Sequence, residues 1–193
     1  MRDHTRLRAF ELADEVALLI YRASAVTNSL QPKHLSRYGD YCYSHLVGIT
    51  RRDNMSLKLM DYFNKQPRLG TLSTADKQGK VDCAVLGSPR MLDGKTVVMT
   101  LRKNRTFSNL QENPFAVFSI MEPGKTSAEW KGIRVYLKMI DCQTAGEKLE
   151  TMRGLAAQRL GEANAKLIHA AVTLEVYDVR PMIDLGQGWE GAI

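Results

Sequence analysis

The chain has 193 residues, 44% of them hydrophobic and 25% charged, with a formal net charge of +6. That length holds one ordinary domain plus an appendage, and the composition excludes fibrous and intrinsically disordered classes. The positive charge favours anionic ligands, phosphate esters and nucleic acid alike, without choosing among them.

In chain order, the first pattern is helical. Leu7, Phe10, Ala13, Val16, Ala17, Ile20 and Ala23 recur at three- and four-residue steps, which predicts one amphipathic helix over 5–25. Glu11, Asp14 and Glu15 interrupt its apolar run, so it does not read as a secretory signal, and no stretch is long and apolar enough to span a bilayer. Residues 27–53 carry Pro32 and Gly39 as breakers and no sustained period, which reads as loop, with or without a short second helix. We take 1–54 as an N-terminal helical extension and 55–193 as the main domain.

The main domain opens with a predicted helix over 56–65, with Leu57, Met60 and Phe63 facing inward, ended by Pro67. Strands follow over 69–75, 80–91 and 96–101, joined by turns at Asp76-Lys77-Gln78-Gly79 and Asp93-Gly94. Further strands are expected over 115–121, 133–142 and 169–179. Leu149, Met152, Leu155, Ala156 and Leu160 place a helix over 145–165. Short strands with one late helix predict a small antiparallel barrel.

The chemistry concentrates after the 96–101 strand, where Arg102, Lys103 and Arg105 precede Thr106, read as the N-cap of a short helix that stops at Asn113-Pro114. Unsatisfied helix-start amides, a hydroxyl and a guanidinium together suit a phosphate. The residues alone equally allow a solvated surface turn that Thr106 merely caps.

The pieces Thr74-Ala75-Asp76-x-x-Gly79, Leu92-Asp93-Gly94, Arg105-Thr106-x-x-Asn109-Leu110-x-x-Asn113-Pro114 and Lys131-Gly132-x-Arg134-Val135-Tyr136-Leu137, in that order, resemble the pyridoxamine 5'-phosphate oxidase-like, FMN-binding split-barrel family over about 55–189. The resemblance implies a mainly β, α+β fold: a six-stranded antiparallel split β-barrel with flanking helices. It also implies a homodimer with bound FMN that acts on an unidentified small molecule or redox partner. Arg105 and Thr106 would hold the phosphate, and Asn109 would support the turn or reach the ribityl chain. Val85, Leu86, Gly87, Ser88, Met99 and Thr100 would lie along the ribityl chain and ring; no catalytic residue is assigned.

The chain departs from the vitamin-oxidising members. Ala84 to Ser88 stand where those carry Arg-x-x-x-x-Lys, and Trp189 alone echoes their C-terminal Arg-x-x-x-Trp-x-x-Arg motif. An unspecialised flavin oxidoreductase, not a true pyridoxamine 5'-phosphate oxidase, is therefore expected, with a non-enzymatic flavin or electron carrier as the alternative. Arg134 and Tyr136 would face the ligand cleft, a subunit contact or solvent, and Trp130 and Trp189 would close over a flavin or fill apolar edges.

Some split barrels bind haem through a histidine; His169 would serve that reading, but no second His or Cys lies at ligand spacing. No metal site is read, since His4, His34 and His45 form no ligand pair. Sparse aromatics that do not interleave with basic residues argue against a nucleic-acid partner, even near Arg51-Arg52. The odd, widely spaced Cys42, Cys83 and Cys142 read as reduced thiols, and with no membrane segment the expected location is cytoplasmic. The text from His4 to Ser24 is also similar to the first helix of the four-helix-bundle proteins encoded in ribosomal-RNA intervening sequences. There is no room for the other helices before Met55, so nothing of their function is carried over.

Overall fold

A computed structural model describes residues 55–126 and 129–193. The helix expected over 5–25, and the 1–54 extension as a whole, lie outside the described residues. Helix α1 covers residues 55–64 and buries Leu59, Met60 and Phe63, whereas Leu57, expected to face inward, is 45% exposed. Three-residue steps fall about 60° short of a full helical turn each time, so positions 57 and 63 lie roughly 120° apart and cannot share one narrow face. The larger Phe63 takes the core.

Seven strands follow: β1 (Leu69–Ala75), β2 (Val81–Val85), β3 (Arg90–Met91), β4 (Thr96–Leu101), β5 (Phe115–Glu122), β6 (Lys131–Gln143) and β7 (Ala170–Pro181). They form one antiparallel sheet in the order β2-β1-β5-β6-β7-β4-β3. Burial alternates along β1, β4 and β5, so one face of the sheet packs inward and the other faces out. The inward set includes Leu72, Val97, Met99, Leu101, Phe118 and Ile120. Phe63 of α1 closes on Phe118 with ring centroids 5.1 Å apart. Gly70 makes that close approach possible, because a Cβ there would meet Phe118 Cζ at 2.4 Å.

The strand expected over 80–91 breaks into β2 and β3, which gives seven strands where six were expected. Pro89 has no N–H for a ladder, and residues 86–89 leave strand geometry altogether. The break changes partners: β2 pairs with β1, while β3 pairs with β4. These are the two ends of the strand order, yet the chain joins them through residues 86–89 alone. Full extension would let Val85 and Arg90 lie no more than about 18 Å apart, so the sheet must roll until its edges meet. Register shifts between β6 and β7 at Tyr136/Leu137 and Met139/Asp141 bend the longest strands in support of that curl.

Residues 86–89 form a strap across the seam. Leu86 N donates to Gly70 O of β1 at 3.1 Å, and Ser88 Oγ donates to Thr100 O of β4 at 3.1 Å. Arg68 fastens it from below, donating to Phe63 O and Pro89 O while its guanidinium carbon sits 5.0 Å and 5.3 Å from the ring centroids of Phe63 and Phe118. Burial, and then the charge of Arg90, lower the Arg68 pKa to about 10.

Helix α2 (Arg105–Glu112) crosses from β4 to β5, and α3 (Glu147–Leu160) and α4 (Glu162–Ala165) link β6 to β7. The single helix expected over 145–165 is interrupted at Gly161, which adopts φ +83°. The expected apolar stripe is also narrower. Leu149 is buried against Ile168 and Ala171 with Met152 and Ala156 alongside, while Leu155 and Leu160 are exposed. The 3-10 turn Trp189–Gly191 lies near the end of the described chain. Among the described residues no helix is long and apolar enough to cross a membrane.

Candidate functional site

The start of α2 is built by Asn104, not by Thr106. Asn104 is extended and its side chain accepts from Phe107 N at 3.0 Å, which makes it the N-cap and puts Arg105 and Thr106 in the first helical turn. The cap explains why both residues point where they do. Helix-start amides lie outside the ladder of the helix itself and carry the positive end of its dipole, and the two side chains stand over β2. Thr106 is buried and its Oγ1 donates to Asp82 Oδ2 at 3.4 Å. Arg105 Nη1 lies 3.9 Å from Asp82 Oδ1, with the Arg105 side chain 65% exposed and that of Asp82 23%.

One turn further on, buried Asn109 donates from Nδ2 to Thr74 Oγ1 of β1 at 3.1 Å. It therefore ties the helix to the sheet. The stop works as expected: Asn113 N donates to Asn109 O at 2.8 Å, Asn113 Oδ1 accepts from Phe115 N at 3.2 Å, and Pro114 leads into β5.

The other expected site residues form a second group. Val85, at the end of β2, is 72% exposed, and the strap residues Leu86, Gly87 and Ser88 follow it across the seam. Gly87 is exposed, and a Cβ built on it meets nothing within 4 Å, so the outer side of the strap is open to a ligand approaching the backbone. Thr100 is half-buried and supplies the carbonyl held by Ser88. Met99 differs: its side chain is fully buried in the core, which leaves only its backbone to face a ligand. The groups share a frame, since β2 carries Asp82 near one end and the strap at the other, while β4 runs from Thr100 towards Asn104.

No family model and no curated protein matches the sequence. Solved structures do. An FMN-binding protein from Syntrophomonas wolfei subsp. wolfei superimposes with a TM-score of 0.60 at 22% identity, covering 74% of this chain and 96% of that one. HupZ of Group A Streptococcus gives 0.54 at 19% identity, covering 66% and 94%. A conserved hypothetical protein from Mycobacterium tuberculosis gives 0.50 at 17% identity, covering 65% and 82%. The fold is a split barrel.

Within this split barrel, sequence reasoning missed three residues of the cradle: Asp82, Thr74 and Asn104. Asp82 was findable from the hairpin register. The Asp76–Gly79 turn sets Ala75 opposite Val81 and Thr74 opposite Asp82, which puts both polar groups on the inward face beneath α2. The remaining candidates lie elsewhere. Arg134 donates from Nε to Pro181 O at 3.1 Å and sits 3.5 Å from Asp184. Tyr136 joins Tyr177, ring to ring at 6.0 Å. His169 packs edge-on against Phe107 at 4.9 Å. Trp130 is partly exposed and Trp189 half-buried in the 3-10 turn. Among the described residues no three metal-ligating side chains converge, and Cys83 and Cys142 are free thiols.

Proposed function

We propose that this split barrel is an FMN-binding flavoprotein, an oxidoreductase that acts on a small molecule. The observation that carries the reading is the capped start of α2, where Arg105 and Thr106 stand over one end of β2 while the open strap leaves its other end, on a fold that a known FMN-binding protein shares. The residues present fit the group. A phosphate takes the Arg105 guanidinium, the Thr106 hydroxyl and the first-turn amides. The open backbone of residues 86–88 accepts the ribityl chain and one edge of a flat ring. When bound, FMN supplies hydride or electron transfer. The protein's part is to bind, orient and shield it, and the strap, held by Gly70, Thr100 and Arg68, is a rigid wall for that purpose.

A homodimer belongs to the same reading. Val81 and Val85 are 76% and 72% exposed on the outward side of β2, a poor arrangement for a monomer and a good second wall for a flavin. The visible absorption spectrum of the purified protein, with mass analysis of the small molecule released on denaturation, is the test. Flavin bands and released FMN are expected. A colourless protein that also fails to bind added FMN would remove the reading.

A further inference from the structure

We infer that Asp82 is a specificity determinant that sets how much negative charge the α2 cradle accepts, disfavouring a phosphate monoester dianion relative to a neutral ligand. This rests on the cofactor reading above. Both side-chain donors that suit a phosphate face this one carboxylate: Thr106 Oγ1 at 3.4 Å and Arg105 Nη1 at 3.9 Å. A phosphate held by Arg105 and Thr106 is therefore also brought against Asp82, whose like charge opposes it.

Asp82 has an opposite possible effect, since it also orients the donors, and the distances decide between the two. A charge-assisted bond is normally about 2.7–2.9 Å long from a cationic N–H and about 2.5–2.7 Å from a hydroxyl. Contacts of 3.4 Å and 3.9 Å, one of them to a largely exposed guanidinium, are too long to position the donors firmly. Thr106 is fixed by its burial within α2, and Arg105 by the helix that Asn104 caps. Removing the Asp82 charge therefore loses little orientation and relieves the repulsion. An amide in its place also offers an N–H to the incoming oxygen.

The test is titration of the full-length protein with FMN and with riboflavin, which lacks the phosphate, for wild type, Asp82→Asn and Asp82→Ser. Circular dichroism verifies that each variant is folded. The expected result is FMN bound roughly tenfold tighter by both variants, with riboflavin affinity within about twofold of wild type, at a partly screened site. Unchanged or weaker FMN binding by the folded variants, alongside a wild type that prefers FMN to riboflavin, would overturn the role of Asp82 and leave the cofactor reading standing. Unchanged or weaker FMN binding by the variants alongside a wild type that binds both flavins equally, or no binding of either flavin by any of the three proteins, would overturn both.

Discussion

Arg105 and Thr106 offer an anion different things. The guanidinium presents two parallel donors but stands mostly in solvent, so its charge is partly screened. The Thr106 hydroxyl is a single donor, but it is buried and therefore fixed in place. Hydrogen bonds to a charged group contribute about 1.5–3 kcal/mol each. Arg105→Ala combined with Thr106→Val is accordingly expected to weaken FMN binding on the order of a hundredfold or more, read by quenching of flavin fluorescence. The valine preserves the volume beneath α2, so the melting temperature should move by only a few degrees, on the order of 1 kcal/mol. Full FMN affinity in the folded double variant would mean that the phosphate sits elsewhere. The thiols also differ at this scale: burial raises the pKa of Cys142, while Cys83 is exposed on β2 and is the one an external reagent meets.

At the scale of elements, α2 couples local stability to binding. Its cap is a side chain on a loop, its middle is tied to β1 by Asn109, and its first turn carries the donors. Loss of an Asn cap costs about 1 kcal/mol, which for a domain of this size lowers the melting temperature by roughly 3–5 °C. Asn104→Ala should show that shift in a thermal melt and should weaken FMN beyond the stability loss, because the turn that frays is the one proposed to hold the phosphate. An Asn104→Ala protein with wild-type affinity would show that the donors are positioned without the cap. Much at this scale was legible in the residues. The β-branched run of β4 and the turn-bounded β1 have the expected ends, since their local pattern and tertiary role agree. The cap was misplaced because Asn104 and Thr106 are both good N-cap residues two positions apart, and the choice between them depends on which side chain the sheet below can bury. The β2/β3 break lies at Gly87 and Pro89, but that the two halves join opposite edges is a property of the closed sheet and has no local signature. Asp82 was half legible: the hairpin register sets it opposite Thr74, but its contact with Thr106 needs a helix 24 residues away to be brought over the hairpin.

For the whole molecule, the outward sheet face is the feature that asks for a partner. Across strands, Val85 stands opposite Thr71 and Cys83 opposite Ser73, and these continue to Ser119 and Val117 and on to Arg134 and Tyr136. Towards one end the face carries the rings of Phe115, Tyr136 and Tyr177. Small and apolar side chains dominate the β2 edge, where charge would be the usual protection against association. The wild-type protein should therefore run as a dimer at micromolar concentration in light scattering. Val81→Lys with Val85→Lys should yield a folded monomer, since two buried charges without partners oppose the contact. A dimer that persists in the double variant would place the contact on another face.

The strap over the seam has a consequence for how binding begins. A loop that must order around its ligand lowers affinity by the conformational freedom it gives up, about 1–2 kcal/mol for each backbone residue fixed. Residues 86–88 have already given up that freedom. Their neighbours on both sheet edges and the Arg68 side chain beneath hold them once the barrel closes, whether or not a ligand is present. On the proposed reading, an incoming flavin would meet a surface shaped during folding, so little of its interaction with that wall would be offset by ordering it. The same tether denies the two edges the room to spread.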